Sequence, residues 1–276
     1  MEKTLANALI VFAKSTFGGA LIPLHRPVFE ANEESHLIEC IRSNFVSSVG
    51  ERVTELEELM ATFTGCELSV ATVNGTAALH SALLLAGVQR GDEVISQALT
   101  FVATANAISY IGASAVFVDV DRDTLGMSPT ALRSWLELNA ERKDGGSINK
   151  ITGARLAACV PMHTFGLPAR IAQVAEICAE YDIPLIEDTA ESLGSYVGTR
   201  HTGSFGLAAT YSFNGNKVIT TGGGGMIVTN HAEFAAAAKH LTTTAKQPHP
   251  LEFYHDETGY NYRMPNLNAA LGVAQM

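Results

Sequence analysis

The chain has 276 residues, 47% of them apolar and only 17% charged, with a net charge of −10. At ~150 residues per domain this length corresponds to roughly two domains, which excludes a peptide or a disulfide miniprotein. The low charge and high apolar content exclude a disordered chain, and the acidic balance argues against a general nucleic-acid binder.

The first twenty residues, MEKTLANALIVFAKSTFGGA, read as an amphipathic helix on Leu5, Leu9 and Phe12. A signal peptide fits them poorly, because the charged start is only Glu2-Lys3 and Lys14 interrupts the apolar run. Helical periodicity with acidic first turns follows over Glu33–Ser43 and Glu51–Thr62. Leu68–Thr72 reads as a strand, Asn74-Gly75-Thr76 as a turn and Ala77–Leu85 as a helix. Strands are expected at Glu93–Ser96 and Ala115–Val120, with helices at Val102–Ser109 and Pro129–Leu138. Asn139–Asn149, polar and carrying Gly145-Gly146, reads as a surface loop. Strand Leu156–Pro161, helix Ala169–Tyr181 and strand Pro184–Ile186 come next. Ala209–Phe213 and Met226–Thr229 read as further strands, and Ala232–Leu241 as an alanine-rich helix. PNLNAALGVAQM, at Pro265–Met276, reads as a helix that has just begun, which leaves a frayed natural terminus and a cut both open.

Strand and helix in alternation give an α/β fold, a mostly parallel sheet with helices on both faces. Ligands in such sheets lie beyond the carboxyl ends of the strands, so the residues there carry the functional reading. No apolar run reaches the ~18 residues of a membrane span. Cys40, Cys66, Cys159 and Cys178 form no CxxC and no zinc pattern. They are expected to be buried, reduced thiols of a cytoplasmic protein, and no metal site is expected.

Four strand ends stand out. Asn74-Gly75-Thr76-Ala77-Ala78 opens a helix, where free amides suit either a phosphate or an ordinary cap. Phe101 can stack on a flat ring or fill the core. Pro184-Leu185-Ile186-Glu187-Asp188 ends in two carboxylates that point to opposite sides. One of these can face a ring nitrogen and keep it protonated, or both can be solvated loop acids. Lys217 precedes Thr220-Thr221-Gly222-Gly223-Gly224-Gly225, which is neither a P-loop nor a dinucleotide fingerprint. An ordinary lysine, with pKa ~10.4, is too protonated at neutral pH to be a nucleophile without a special environment. Together, a phosphate cup, a stacking aromatic, a strand-end Asp and a loop Lys are what pyridoxal phosphate requires.

With NGTAAL, LTFVATANAI, the ED pair, SFxxxK before TGGGGM, and GYNYRM, the chain resembles the DegT/DnrJ/StrS nucleotide-sugar aminotransferases from about Leu21 to Met276. The resemblance implies the large domain of a fold-type I PLP-dependent transferase. It gives an N-terminal segment over 1–30, a cofactor domain over 31–260 and the start of a small C-terminal domain over 261–276. It implies Lys217 as the lysine that carries the cofactor and shuttles the proton, and Asp188 as partner of the ring nitrogen. Thr76, Ala77 and Ser212 would hold the phosphate, Phe101 would stack on the ring, and Glu191 stands where many relatives have Gln, near the ring hydroxyl. Asn261 and Arg263 match residues that relatives insert into a neighbouring subunit's site, which implies a homodimer. His163 and Arg263 would contact substrate. Lysine rather than histidine at 217 implies transamination, from glutamate to a UDP-linked 4-keto-6-deoxy-N-acetylhexosamine. Two rival readings stay open: a nucleotide-dependent oxidoreductase, which gives Lys217 no role, and a non-catalytic PLP-binding or dimerising fragment.

Overall fold

The computed structural model describes residues 2–276 except Ala20, Asp144 and Pro250, and the side chains of all of these but Glu2 and Lys3. Three helices come first: α1 (Glu2–Phe17), α2 (Glu33–Ser43) and α3 (Glu51–Thr64). Strand and helix then alternate through β1 (Leu68–Thr72), α4 (Gly75–Leu85), β2 (Glu93–Gln97), α5 (Val102–Ile111), β3 (Ser114–Val118) and α6 (Pro129–Asn139). After β4 (Ala140–Lys143) and β5 (Gly146–Asn149) come β6 (Leu156–Val160), α7 (Ile171–Glu180) and β7 (Ile186–Asp188). The chain finishes with the short pair β8 (Tyr196–Val197) and β9 (Arg200–His201), then β10 (Ala208–Ser212), β11 (Gly225–Thr229), α8 (Ala232–Thr242) and α9 (Asn266–Gln275).

Two sheets, β1-β11-β10-β7 and β3-β2-β6, meet through parallel bridges Cys159↔Leu185 and Met162↔Asp188. The Cys159 amide donates to Pro184 O at 2.8 Å, and the Asp188 amide to Pro161 O at 2.9 Å. The result is one seven-stranded layer in which only β11 runs against its neighbours. Alternation along each strand sends side chains to both faces of the sheet, where they form three clusters. Val94 and Ile227 join Leu79, Leu83, Ile108 and Phe234 under α4, α5 and α8. Ile95 joins Leu132, Leu136, Ile171 and Val174 under α6 and α7. Met226 and Val228 join Leu56, Met60, Phe213 and Ala269 under α3 and α9. The expected parallel sheet with helices on both faces is what the chain forms, and its four cysteines are buried free thiols.

Some expectations shift. Asn139–Asn149 is not a loop but a hairpin of β4 and β5, paired from Ala140↔Asn149 to Lys143↔Gly146. Gly145 and Gly146, at φ 89° and 138°, make the reversal that residues with a Cβ resist; Asp144, in the expected loop, lies outside the described residues. The Pro184–Ile186 strand is displaced to Ile186–Asp188, because Asp188 pairs with both Thr210 and Met162. Helix α1 forms as expected, yet Leu5, Leu9 and Phe12 are 65%, 58% and 65% exposed, so its apolar stripe packs on nothing described. Helix α9 joins the main body: Gly272 lies so close to α3 that a Cβ there would be 2.8 Å from a Leu56 methyl. Among the described residues, no helix is long and apolar enough to cross a membrane.

Candidate active site

The carboxyl ends of β1, β7 and β10 and the start of α5 converge on a cleft of about 260 Å³. Its wall includes Gly75, Thr76, Phe101, Asp188, Ser212 and Lys217. One side is the N-terminus of α4. Asn74 caps this helix, its Oδ1 accepting from the Ala77 amide at 2.7 Å. The amides of Gly75 and Thr76 have no acceptor among the described residues. Helix amides left free in this way, at the positive end of the macrodipole, attract an anion. The helix reaches the sheet only because its first residue lacks a side chain. A Cβ on Gly75 would sit 2.8 Å from Ser212 Cβ, and one on Gly225 would sit 2.5 Å from the Asn74 carbonyl. The two glycines therefore bring the free amides beside Ser212.

Asp188, at the end of β7, is 7% exposed and not a solvated acid. Burial pushes its carboxyl above the ordinary range, while hydrogen bonds from Thr104 and Ala190 and the charge of Lys217 pull it back. Thr104 Oγ1 donates to Oδ2 at 2.7 Å and the Ala190 amide to Oδ1 at 3.2 Å. Its neighbour Glu187 points the other way and is fully buried. It accepts from the amides of Gly203, Phe205 and Gly206 at 2.8, 2.6 and 3.0 Å.

Lys217 lies in the loop between β10 and β11. That loop is closed by the Thr221 amide on Phe213 O at 3.0 Å and by Asn268 Nδ2 on Thr221 O and Gly223 O at 2.7 and 3.0 Å. Lys217 Nζ is 3.1 Å from Glu191 Oε1, and the other Glu191 oxygen accepts from the Phe165 amide at 2.8 Å. Phe165 has φ 56°, ψ 22°, a left-handed conformation unusual for a bulky residue. Such backbone gathers at functional sites where neighbours over-determine it. Glu191 supplies one of those ties, and Ser195 Oγ, on Gly166 O at 2.7 Å, another.

The structure thus brings Thr76, Phe101, Asp188, Glu191, Ser212 and Lys217 to one cleft. Phe101 is 64% exposed, so it is not a core residue and has a face to offer. Ala77 stands apart: its side chain is buried and its amide already serves Asn74. His163 does not line the cleft. It is fully buried, with Nε2 3.2 Å from Glu187 Oε2 and Nδ1 accepting from the Ala169 amide at 3.1 Å. Both ring nitrogens are therefore occupied within the protein. Asn261 is exposed and Arg263 lines a separate depression with Lys246 and His249. Neither reaches the cleft of its own chain. Sequence reasoning missed Thr104, which sits inside LTFVATANAI but gave no sign of its carboxylate partner; the cap it allowed for at Asn74 is present, on a helix that starts at Gly75 rather than Ala77.

A family described as the DegT/DnrJ/EryC1/StrS aminotransferases matches residues 27–276. The chain is similar to the putative pyridoxal phosphate-dependent aminotransferase EpsN of Bacillus subtilis, 40% identical over 255 residues, covering 92% of this chain and 63% of the relative. It is also similar to GDP-perosamine synthase of Escherichia coli O157:H7, 37% identical over 255 residues, covering 92% of this chain and 65% of the relative. Among solved structures, the aminotransferase TlmJ from Streptoalloteichus hindustanus superposes with a TM-score of 0.82 at 30% identity, over 92% of this chain and 65% of that one. The chain spans a little under two thirds of the length of these curated relatives.

Proposed function

The chain belongs to the DegT/DnrJ/EryC1/StrS aminotransferase family, and from that premise we propose that it is the cofactor-binding part of a pyridoxal phosphate-dependent sugar aminotransferase. The observation that carries the reading is the convergence of Lys217, a buried Asp188 and the two free amides of α4 on one cleft. These residues fit the cofactor: an anion cup, an exposed aromatic face, a carboxylate and an amine are all present. When bound, pyridoxal phosphate supplies an aldehyde and an electron-withdrawing ring, through which an amino group passes from a donor to an acceptor.

Each residue then has a role. The Gly75 and Thr76 amides and the Ser212 hydroxyl hold the phosphate, and Phe101 covers a ring face. Asp188 keeps the ring nitrogen protonated, since an opposite charge favours the charged form. Lys217 Nζ is the amine that carries the cofactor and moves the proton, and Glu191 holds it at 3.1 Å beforehand. The amino donor is glutamate. The acceptor is a nucleotide-linked keto sugar, on our reading a UDP-linked 4-keto-6-deoxy-N-acetylhexosamine. The similarity to GDP-perosamine synthase supports a GDP-linked sugar as the second reading. Asn261 and Arg263 lie outside their own cleft, as a contribution to a neighbouring copy requires, which supports a homodimer with shared sites.

The experiment is borohydride reduction of the purified chain with pyridoxal phosphate, followed by peptide mapping. The pyridoxyl label is expected on Lys217; label elsewhere, or none, overturns the proposal. Glutamate with UDP- and GDP-linked keto sugars then separates the two substrates. A chain labelled at Lys217 that turns over neither sugar is a binding or dimerising unit without its own turnover.

A further inference from the structure

Behind Asp188 lies a short row of hydroxyls that the proposed chemistry leaves unused. Thr104, fully buried in the first turn of α5, is 2.7 Å from Asp188 Oδ2 and 2.7 Å from Thr100 Oγ1. Thr100 Oγ1 is in turn 3.1 Å from Met162 Sδ. The same turn begins with Phe101, so a single helix start presents both the aromatic at the cleft and the hydroxyl behind the carboxylate.

Each hydroxyl has one proton to give. If Asp188 is ionised it can only accept, so Thr104 donates to Asp188 and Thr100 donates to Thr104. Met162 then receives nothing. If Asp188 is protonated on Oδ2, the row reverses: Asp188 donates to Thr104, Thr104 to Thr100, and Thr100 to the thioether. The first direction includes a charge-assisted hydrogen bond, the stronger kind, whereas the second ends on a weak sulfur acceptor. Geometry therefore favours the ionised carboxylate, against the burial that opposes it.

We infer that Thr104, backed by Thr100, is a positioning residue for Asp188: its hydroxyl fixes Oδ2 as the Ala190 amide fixes Oδ1, and so orients the carboxylate and holds it ionised while a ring nitrogen faces it. This rests on the reading of Asp188 as partner of the cofactor ring. The hydroxyl, not the bulk, is the active feature, so Thr104→Ser should preserve it and the near-isosteric Thr104→Val should remove it.

The test is titration of the cofactor-free full chain with pyridoxal phosphate, read by fluorescence, together with the pH dependence of the bound cofactor's visible band. T104S is expected to match the parent. T104V is expected to bind about 10- to 100-fold more weakly, the loss of one hydrogen bond to a charged group, with a shifted band titration. T100V is expected to move both readouts several-fold in the same direction, and it decides the matter should T104V not fold. On a D188N background T104V should add nothing. Parent-like binding and titration in T104V and T100V, or an equal effect of T104V on the D188N background, overturns the relay alone. A parent chain that takes no cofactor at Lys217 overturns the aminotransferase reading and the relay with it.

Discussion

Replacing Gly75 by alanine tests the phosphate cup with a single methyl group. The added Cβ would lie 2.8 Å from Ser212 Cβ and 3.2 Å from Ser212 Cα. Carbon atoms in ordinary contact are ~3.5–4.0 Å apart, so α4 and β10 must separate by about 1 Å. Overpacking of this kind costs about 1–3 kcal/mol. Alanine regains up to about 1 kcal/mol over glycine in a helix, less at its first position. The net destabilisation is therefore about 0–3 kcal/mol, a fall in Tm of up to about 10 °C for a domain of this size. Cofactor binding should suffer more, because the same shift takes free amides away from Ser212. Losing one hydrogen bond to a charged phosphate costs about 1.5–3 kcal/mol, roughly 10- to 100-fold in Kd. Differential scanning calorimetry and a pyridoxal phosphate titration measure the two effects. Gly215→Ala is the control, since nothing lies within 4 Å of a Cβ there. G75A with parental Kd, or G215A with an equal loss, would refute the argument that close approach of α4 to β10 builds the cup.

Other consequences follow from single groups. Burial holds Asp188 above its ordinary 3.8, so the unfolded chain releases this proton first and folding stability falls as pH rises from 3.8 through the raised value. Asp188→Asn should thus make the cofactor-free protein more stable than the parent at pH 7 by chemical denaturation, while turnover with any accepted sugar is lost; a less stable D188N contradicts the burial argument. Glu187→Gln should turn an amide NH₂ toward backbone donors, at about 1–3 kcal/mol for each donor left unsatisfied; an unchanged Tm would show that the carboxylate does not hold the 202–206 turn. His80 is boxed in by Tyr110, Tyr260 and Tyr262, and burial lowers its pKa below 6.5. As pH falls below 6.5 the unfolded chain binds this proton first, so stability drops; His80→Gln should flatten that limb of the Tm–pH curve, and an unaltered limb would exclude His80 as its source.

Hydrophobic periodicity made the sheet and its helices legible, because the clusters on both faces follow the two-residue and 3.6-residue repeats. Strand-end logic then placed Thr76, Phe101, Asp188, Ser212 and Lys217 on one side of the sheet. What it could not supply was long-range partnership. Nothing in the spacing joins Thr104 to Asp188 across 84 positions, or Lys217 to Glu191 rather than to solvent. The hairpin at 140–149 escaped because its strands are short and polar, lying outside the sheet that the periodicity describes. His163 misled for a related reason. Its position just past β6 suggests the cleft, but its ring is drawn inward by Glu187, a residue whose own burial the sequence does not announce.

The Glu187-Asp188 pair shows how one strand turns two similar acids to different ends. Alternation sends them to opposite faces. On one face Glu187 meets three backbone amides and a neutralising crowd of donors, so its charge is spent on holding the 202–206 turn against the sheet. On the other, Asp188 receives one hydroxyl and one amide, too few donors to satisfy the four lone-pair sites of a carboxylate. An incompletely satisfied, nearly buried carboxylate is costly by itself and is relieved by a cation or a protonated nitrogen in the cleft. The strain that the fold accepts at Asp188 is thus a binding specification. It favours a ligand that brings a positive hydrogen-bond donor to that end of the cleft and an anion to the Gly75–Thr76 end. A protonated pyridine bearing a phosphate meets both demands at once, whereas a dianion without the nitrogen meets only one. Pyridoxal phosphate should therefore displace inorganic phosphate from the parent and, with its bond to Lys217 still available, keep only part of that advantage in D188N; an advantage undiminished in D188N would break this link between burial and selection.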